Sequence, residues 1–239
     1  MLTSTLSSRR LKHNVLESLA AHDWESRWQE FADLNPQKLV GPLFSALCSL
    51  NPPVKWHAVS WFGFLVPLIR QRHTESARII MRRFLWSLND ESGGIGWGAP
   101  EAMGDIMACD HPLASEYHCL LLSFIEDRQG PDNYLEHLPL REGAYWGIAR
   151  LAQSRPELVQ PSADLLMQAS EREESLMCRF LSFLALAQIP GARPGIPPGS
   201  DADQKLTIYW DRQFQTLNLK QILQGVLTPS PLNTEDNRL

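Results

Sequence analysis

The stretch VKWHAVSWFG, residues 54–63, begins with an apolar residue and carries alanine in its fifth place and glycine in its tenth. IGWGAPEAMG (95–104) and LREGAYWGIA (140–149) repeat these features, with alanine in the last place of the third copy. The fifth-place alanines, at 58, 99 and 144, are separated by 41 and 45 residues, which is the period of a helix-pair repeat. Small residues at both places let neighbouring helices approach closely. A weaker fourth copy covers residues 173–182.

Nearly every segment from residue 7 to residue 188 has helical periodicity, as at Trp24, Trp28 and Phe31. Short stretches that end in proline separate these segments, at 35–36, 51–53, 111–112, 130–131 and 155–156. Proline suits the first turn of a helix and disfavours helix in the residue before it. We therefore predict first helices at 36–50, 74–90, 113–127 and 157–169, each followed by a repeat helix. Two further helices, at about 7–20 and 23–34, would cap the stack.

The pattern apolar-basic-x-x-Ala-x-x-x-x-Gly resembles the second helix of a HEAT repeat, with Lys55 and Arg141 in the basic place and Gly96 departing from it. Residues 86–104, WSLNDESGGIGWGAPEAMG, are similar to the signature block of a bacterial family of HEAT-like repeat proteins. The resemblance implies an all-α fold, a right-handed HEAT-like α-α superhelix of about four helix pairs. It implies no activity.

The composition changes after residue 188. Residues 189–204 are rich in proline and glycine and predict a linker. LTIYW (206–210) and FQTLN (214–218) flank Asp211-Arg212-Gln213, which predicts a β-hairpin with a three-residue turn, followed by a short helix at about 219–226. The predicted organisation is a helical repeat domain at 1–188 with capping helices in 1–35, the linker, a hairpin-and-helix appendage at 205–227, and a disordered tail at 228–239.

Charge and hydropathy limit the classes of partner. The formal net charge of −5 argues against nucleic acid. A local basic run is interpreted as a solvated helix face; it comprises Arg70, Arg72, Arg78, Arg82 and Arg83. The chain begins without the apolar stretch of a signal peptide, and its longest apolar run, 59–69, is too short to cross a bilayer. We expect a cytoplasmic protein that does not bind membranes.

The cysteines and an acid–histidine segment are the candidates for catalytic or metal-binding residues. Cys48, Cys109, Cys119 and Cys178 are widely spaced and predict buried free thiols in a reducing compartment. Asp110, His111, Glu116 and His118 are close in sequence but lack the spacing of a metal motif. No nucleophile elbow occurs in the sequence. We therefore favour a protein without metal, cofactor or catalytic residues.

The glycine-rich loop of residues 93–98 raises the question of a nucleotide site. A P-loop needs lysine and serine or threonine after its last glycine, whereas Ala99, Pro100 and Glu101 follow here. A dinucleotide fingerprint needs a preceding strand, and a helix precedes this loop. We favour a structural interpretation, in which Ser92-Gly93-Gly94 ends one helix with a positive-φ cap and Pro100 occupies the first position of the next. A binding loop is the alternative.

The repeat register predicts a partner surface. On a helical wheel the third and seventh places lie at about 200° and 240°, opposite the core stripe. In helix-pair solenoids these places line the concave surface, where an aromatic and acidic ladder suits a basic or amine-bearing protein or peptide. The predicted partner-binding residues are Trp56, His57, Glu91, Gly94, Trp97, Glu101, Glu142 and Trp146.

The predicted function is that of a non-catalytic binding or scaffold protein. The alternative is an enzyme or small-molecule binder with a pocket at residues 93–98. The N-terminal helices and the C-terminal hairpin are the segments that would cover the ladder if it were not a partner surface.

Overall fold

The computed structural model describes residues 7–89, 96–128, 133–192, 194–196 and 202–224. These residues are mostly helical, with a small antiparallel sheet near the C-terminus. The chain forms two compact units, an N-terminal unit of Met1–Tyr117 and a C-terminal unit of His118–Leu239. None of the described helices is both long enough and apolar enough to cross a membrane.

The helices of the N-terminal unit follow the predicted order. They are α1 (Ser8–Ala20), α2 (Trp24–Arg27), a 3-10 helix (Trp28–Phe31), α3 (Gln37–Leu47), α4 (Pro52–Arg72), α5 (Thr74–Leu88) and α6 (Ala99–Cys109). The predictions at 7–20, 36–50 and 74–90 are therefore confirmed to within a few residues. The predicted helix at 23–34 is shorter, because a single turn of α-helix passes into the 3-10 helix.

Helix α4 lies at the centre of the N-terminal unit, where it packs against α1, α3, α5 and α6. Phe44, Phe62 and Phe84 join α3, α4 and α5, with ring centroids 4.6 to 5.1 Å apart. Gly63 allows α6 to approach, since a Cβ at this position would lie 2.1 Å from Oδ2 of Asp105. The tenth place of the repeat thus permits the close helix contact expected from the sequence.

Helix α7 (His111–Ser123) begins two residues before its predicted start and ends four residues before its predicted end at 127. Its beginning is fixed by Asp110, whose Oδ1 accepts a hydrogen bond from the backbone N–H of Leu113 at 3.0 Å. An aspartate that accepts from the first turn is a common helix N-cap. The helix crosses the sequence boundary between the two units.

The C-terminal unit is built on α8 (Leu138–Ser154) and α11 (Leu176–Gln188), which pack against each other, with α10 (Ala163–Arg172) against α11. The predicted helix at 157–169 is wrong as a single element. The chain forms α9 (Pro156–Val159), a 3-10 turn (Gln160–Ser162) and then α10. Pro161 lies in the turn, where its ring and missing N–H prevent a continuous α-helix.

The predicted hairpin is present as β1 (Leu206–Trp210) and β2 (Gln213–Leu217). Trp210 pairs with Gln213, so the turn contains two residues and the predicted three-residue turn is wrong. Asp211 and Arg212 both have positive φ, 47° and 63°, as a type I′ turn requires. Helix α12 (Leu219–Leu223) follows, and its predicted end at 226 lies outside the described residues.

Candidate functional site

Lys55, Trp56 and Glu101 meet near the N-terminal ends of α4 and α6. The Nζ atom of Lys55 lies 2.7 Å from Oε1 of Glu101 and 5.2 Å from the centroid of the Trp56 ring. A carboxylate and an indole placed around one ammonium form a site for a cation. We call Trp56 and Glu101 the carboxylate–indole site; in this structure the chain's own Lys55 occupies it.

The carboxylate of Glu101 is only half satisfied. The residue is 3% exposed. Its Oε2 atom is buried and has no hydrogen-bond partner among the described residues. A buried acceptor left without a donor costs about 1–3 kcal/mol. The expectation that Glu101 lies on an open surface is wrong, because α6 packs against α4 and its seventh place faces Lys55.

Trp97 keeps the exposure predicted for it. It directly precedes α6, and 38% of its surface is accessible to solvent. Trp56, on α4, is partly buried. Glu91, Gly94 and the predicted cap at Ser92-Gly93-Gly94 lie outside the described residues.

The described glycines of the loop have structural roles. Gly98 is the N-cap of α6 with φ of 73°, a left-handed conformation that favours glycine. Gly96 packs so closely on the end of α5 that a Cβ there would lie 2.9 Å from the backbone oxygen of Ser87. Because α6 starts at Ala99, Pro100 occupies its second position rather than the predicted first. Tight helix packing therefore explains these two glycines without a bound phosphate.

His57 joins the N-terminal helices to α4. Its Nδ1 lies 2.6 Å from the backbone oxygen of Leu19, so Nδ1 carries the proton and donates. Its ring stacks on Trp24 with centroids 4.1 Å apart. Burial lowers the pKa of His57 below its usual value. The residue was predicted to contact a partner, and in the structure it contacts α1 and α2.

In the C-terminal unit the hairpin covers the predicted ladder. Trp146 is 4% exposed, its Nε1–H donates to the backbone oxygen of Tyr209 at 2.7 Å, and its ring meets Trp210 edge-on. The exposed position predicted for Trp146 is therefore wrong. Glu142 is half-buried and its Oε1 accepts a hydrogen bond from Oγ of Ser175 at 2.7 Å.

A second, largely buried ion pair was not predicted from the sequence. Nε of Arg141 lies 3.3 Å from Oε1 of Glu173, and the Tyr145 hydroxyl donates to the same oxygen at 3.0 Å. Burial raises the pKa of Tyr145 far above its usual value, so this phenol stays protonated. Arg141 and Lys55 both occupy the basic place of the sequence pattern, and each pairs with a glutamate, Glu101 buried and Glu173 partly buried. In the sequence, the basic residue in the second place of the pattern was the signal from which these ion pairs could have been predicted.

The two acids of the acid–histidine segment and most of the basic run form ion pairs. Arg70 binds Asp110, with Nε 2.6 Å from Oδ2, and Arg78 binds Glu116 at 2.7 Å. Among the described residues, no group of three histidine, cysteine, aspartate or glutamate side chains is placed to hold a metal ion.

The expectation of buried cysteines holds for Cys178 alone. Cys48 and Cys119 are exposed, and Cys109 is intermediate. Apolar neighbours in the sequence do not determine which face of a helix a cysteine occupies, and Cys119 lies on the solvent side of α7. Burial raises the pKa of the Cys178 thiol to about 12.

Comparison with known proteins gives no match, either to a protein-family model or to a curated protein. The properties of the carboxylate–indole site therefore have to be inferred from its own geometry. Its two members and the exposed Trp97 belong to the N-terminal unit, whereas Glu142 and Trp146 belong to the C-terminal unit.

Proposed function

We propose that this protein is a non-catalytic binding protein of the HEAT-like α-solenoid type, and that the carboxylate–indole site, together with Trp97, binds a basic segment of a partner protein. The observation that carries the proposal is the ammonium of Lys55 between Trp56 and Glu101. The solenoid part of the proposal is supported by the contacts of α4 with α6 and of α8 with α11, which join consecutive repeat helices within each unit.

Lys55 indicates what kind of ligand the site accepts. Its side chain is 25% exposed, whereas that of Glu101 is 4% exposed, so the lysine stem runs from the surface to a buried carboxylate. A lysine of a partner has the same length and charge and would use the same route, and an arginine has the same charge and a similar reach. An arginine has an additional advantage, because its forked donors could reach both oxygens of Glu101.

Competition with Lys55 gives the proposal a specific test. Removing the ammonium while keeping the apolar stem, as in Lys55→Met, leaves Glu101 as an unpaired buried charge. Such a charge is destabilising by about 3–5 kcal/mol, and a partner cation would recover part of that free energy. A basic ligand should therefore bind Lys55→Met more tightly than wild type, the reverse of what a surface lysine in a contact would show.

The experiment uses two fluorescent peptides that differ only in charge, one with arginine and lysine and one with glutamate in the same positions. We expect the basic peptide to bind wild type, to bind Lys55→Met at least tenfold more tightly, and to lose about tenfold or more in affinity with Trp97→Ala or Glu101→Gln. Glu173→Gln, which removes the carboxylate paired with Arg141 in the C-terminal unit, is the matched control and should bind as wild type does. Far-UV circular dichroism establishes that each variant is folded.

Equal binding of the two peptides would show that charge is not recognised and would refute the proposal. Weaker binding of the basic peptide to Lys55→Met would place Lys55 in the contact itself and refute the carboxylate–indole site as the receptor. A small molecule that binds wild type and is displaced by neither peptide would favour the loop-pocket alternative.

A further inference from the structure

Helix α5 has a second apolar face directed toward solvent. Its buried face consists of Ala77, Ile80, Met81 and Phe84. On the other side Ile79 is 55% exposed and Trp86 is 76% exposed. Residues seven apart lie within about 20° of each other on a helix, so these two side chains form one stripe. We call Ile79 and Trp86 the outer stripe of α5.

The outer stripe is unusual because a large aromatic and a large aliphatic side chain are exposed on one line of one helix. Single exposed apolar residues are common, whereas neighbouring ones mark interaction surfaces. Trp86 also has the side chain that most often dominates the free energy of protein–protein binding. The two side chains are about 10.5 Å apart along the axis of α5, which is two turns of a helix.

Arginines lie on both sides of the outer stripe. With about 100° per residue, Arg82 lies on one side of the Ile79–Trp86 line and Arg83 on the other. The guanidinium of Arg83 is held over the ring of Phe44 at 3.8 Å from its centroid, and Arg82 pairs with Glu75, with both side chains about half exposed. The stripe is therefore an apolar line with a guanidinium group on each flank, that of Arg83 on one side and that of Arg82, paired with Glu75, on the other.

This charge distribution distinguishes between possible occupants. A second copy in antiparallel contact about a point between residues 82 and 83 would place Arg82 beside Arg82 and Arg83 beside Arg83 of the two chains, and like charges in contact oppose binding. An anionic membrane is recognised by clusters of about four to eight basic residues, whereas the flanks of the stripe hold two, of which Arg82 already shares its charge with Glu75. An acidic protein segment matches both the apolar line and the flanking guanidinium groups.

We infer that the outer stripe of α5 is a docking site for an amphipathic helix of a partner protein, with apolar residues at i, i+4 and i+7 against Ile79 and Trp86, and acidic residues that meet Arg82 and Arg83. Helix-on-helix docking of this kind uses anchors at that spacing. This surface is separate from the carboxylate–indole site and selects the opposite charge.

The test measures binding of two synthetic amphipathic peptides by fluorescence anisotropy. Both carry leucine at i, i+4 and i+7; one has glutamate and the other lysine at the flanking positions. Wild type should bind the glutamate peptide saturably and more tightly than the lysine peptide. Trp86→Ala and Ile79→Ser should each lower the affinity for the glutamate peptide about tenfold or more. Leu50→Ser is the matched control, because Leu50 is 100% exposed in the same unit and should not affect binding.

Added salt should weaken the binding of the glutamate peptide, since interactions between exposed charges about 10 Å apart are screened at 0.1 M ionic strength. Because both stripe residues are exposed, their replacement should leave the far-UV circular dichroism and the midpoint of urea unfolding unchanged. Absence of saturable binding to wild type overturns the inference, and so does equal binding to Trp86→Ala.

Two parallel measurements cover the other occupants. Trp86-dependent binding to vesicles of phosphatidylserine and phosphatidylcholine, without peptide binding, assigns the stripe to a membrane and overturns the inference. Trp86-dependent self-association in sedimentation velocity, again without peptide binding, assigns it to a second copy and overturns the inference equally.

Discussion

Replacement of Gly63 by alanine should destabilise the N-terminal unit, although alanine is the better helix former. Gly63 lies within α4, and a Cβ there would be 2.1 Å from Oδ2 and 3.0 Å from Cγ of Asp105. The carboxylate would have to move away by more than an ångström, yet Asp105 is only 7% exposed. Overpacking of this kind costs about 1–3 kcal/mol, whereas glycine to alanine within a helix gains about 0.5–1 kcal/mol. The net loss should be about 1–2 kcal/mol.

Gly41→Ala is the matched control for this prediction. Gly41 also lies within a helix of the N-terminal unit, and apart from its chain neighbours and the backbone of its own helix a Cβ there would have no atom within 4 Å. Because Pro42 follows Gly41 within the helix, the added Cβ meets the proline ring, which offsets the gain in helix propensity, so this variant should change the stability by less than about 1 kcal/mol. Urea unfolding followed by far-UV circular dichroism measures both changes, and each kcal/mol should shift the melting temperature by about 2–4 °C.

A double-mutant cycle with Asp105→Ala attributes the cost to its cause. In the Asp105→Ala background the clash is absent, so Gly63→Ala should become neutral or stabilising. If Gly63→Ala is neutral or stabilises the wild-type chain, the close approach of α4 and α6 at this point is refuted. If the cost persists without the Asp105 carboxylate, the contact responsible is a different one.

Three further predictions follow from single residues. Because burial lowers the pKa of His57, the unfolded chain takes up this proton first as the pH falls. Stability is therefore complete above about pH 6.5 and is lost as the pH decreases through the folded-state pKa. His57→Phe should flatten that part of the pH profile of urea unfolding, and an unchanged slope would contradict the assignment. A disulfide reagent should label the exposed Cys48 and Cys119 quickly near neutral pH and Cys178 only after unfolding. Labelling of Cys178 in the folded Cys48→Ser/Cys119→Ser variant would contradict the prediction that this thiol reacts only after unfolding. Arg212→Gly should raise the melting temperature, because Arg212 has φ of 63°, a strain of about 1 kcal/mol that Arg212→Ala would not relieve.

The helices could be predicted because their signals are local. Apolar spacing and proline pairs fix a helix and its start within a few neighbouring residues, and α3, α4 and α5 follow these signals closely. Pro161 was a local signal of the same kind, and its position explains the break between α9 and α10. The hairpin strands were also predictable, but the turn was not, because arginine seldom adopts a left-handed conformation.

The candidate site was predicted only in part, because its burial depends on contacts between distant segments. A helical wheel places Glu101 and Trp146 away from the core stripe of their own helix pair. It does not show that α6 lies against α4, or that Trp146 would meet Tyr209, 63 residues further along the chain. Trp97 is exposed, as predicted, but the helical wheel is not the reason, because Trp97 precedes α6 and the wheel does not apply to it.

The hydrogen bond from Trp146 to Tyr209 has a consequence for synthesis on the ribosome. Helix α8 is made 63 residues before the carbonyl group that covers its tryptophan. During that interval the nascent chain displays an indole that the finished protein hides, and such surfaces promote aggregation of incomplete chains. A stop codon anywhere before β1 would make this temporary exposure permanent, so loss of the small hairpin should reduce the yield of protein more than its size suggests.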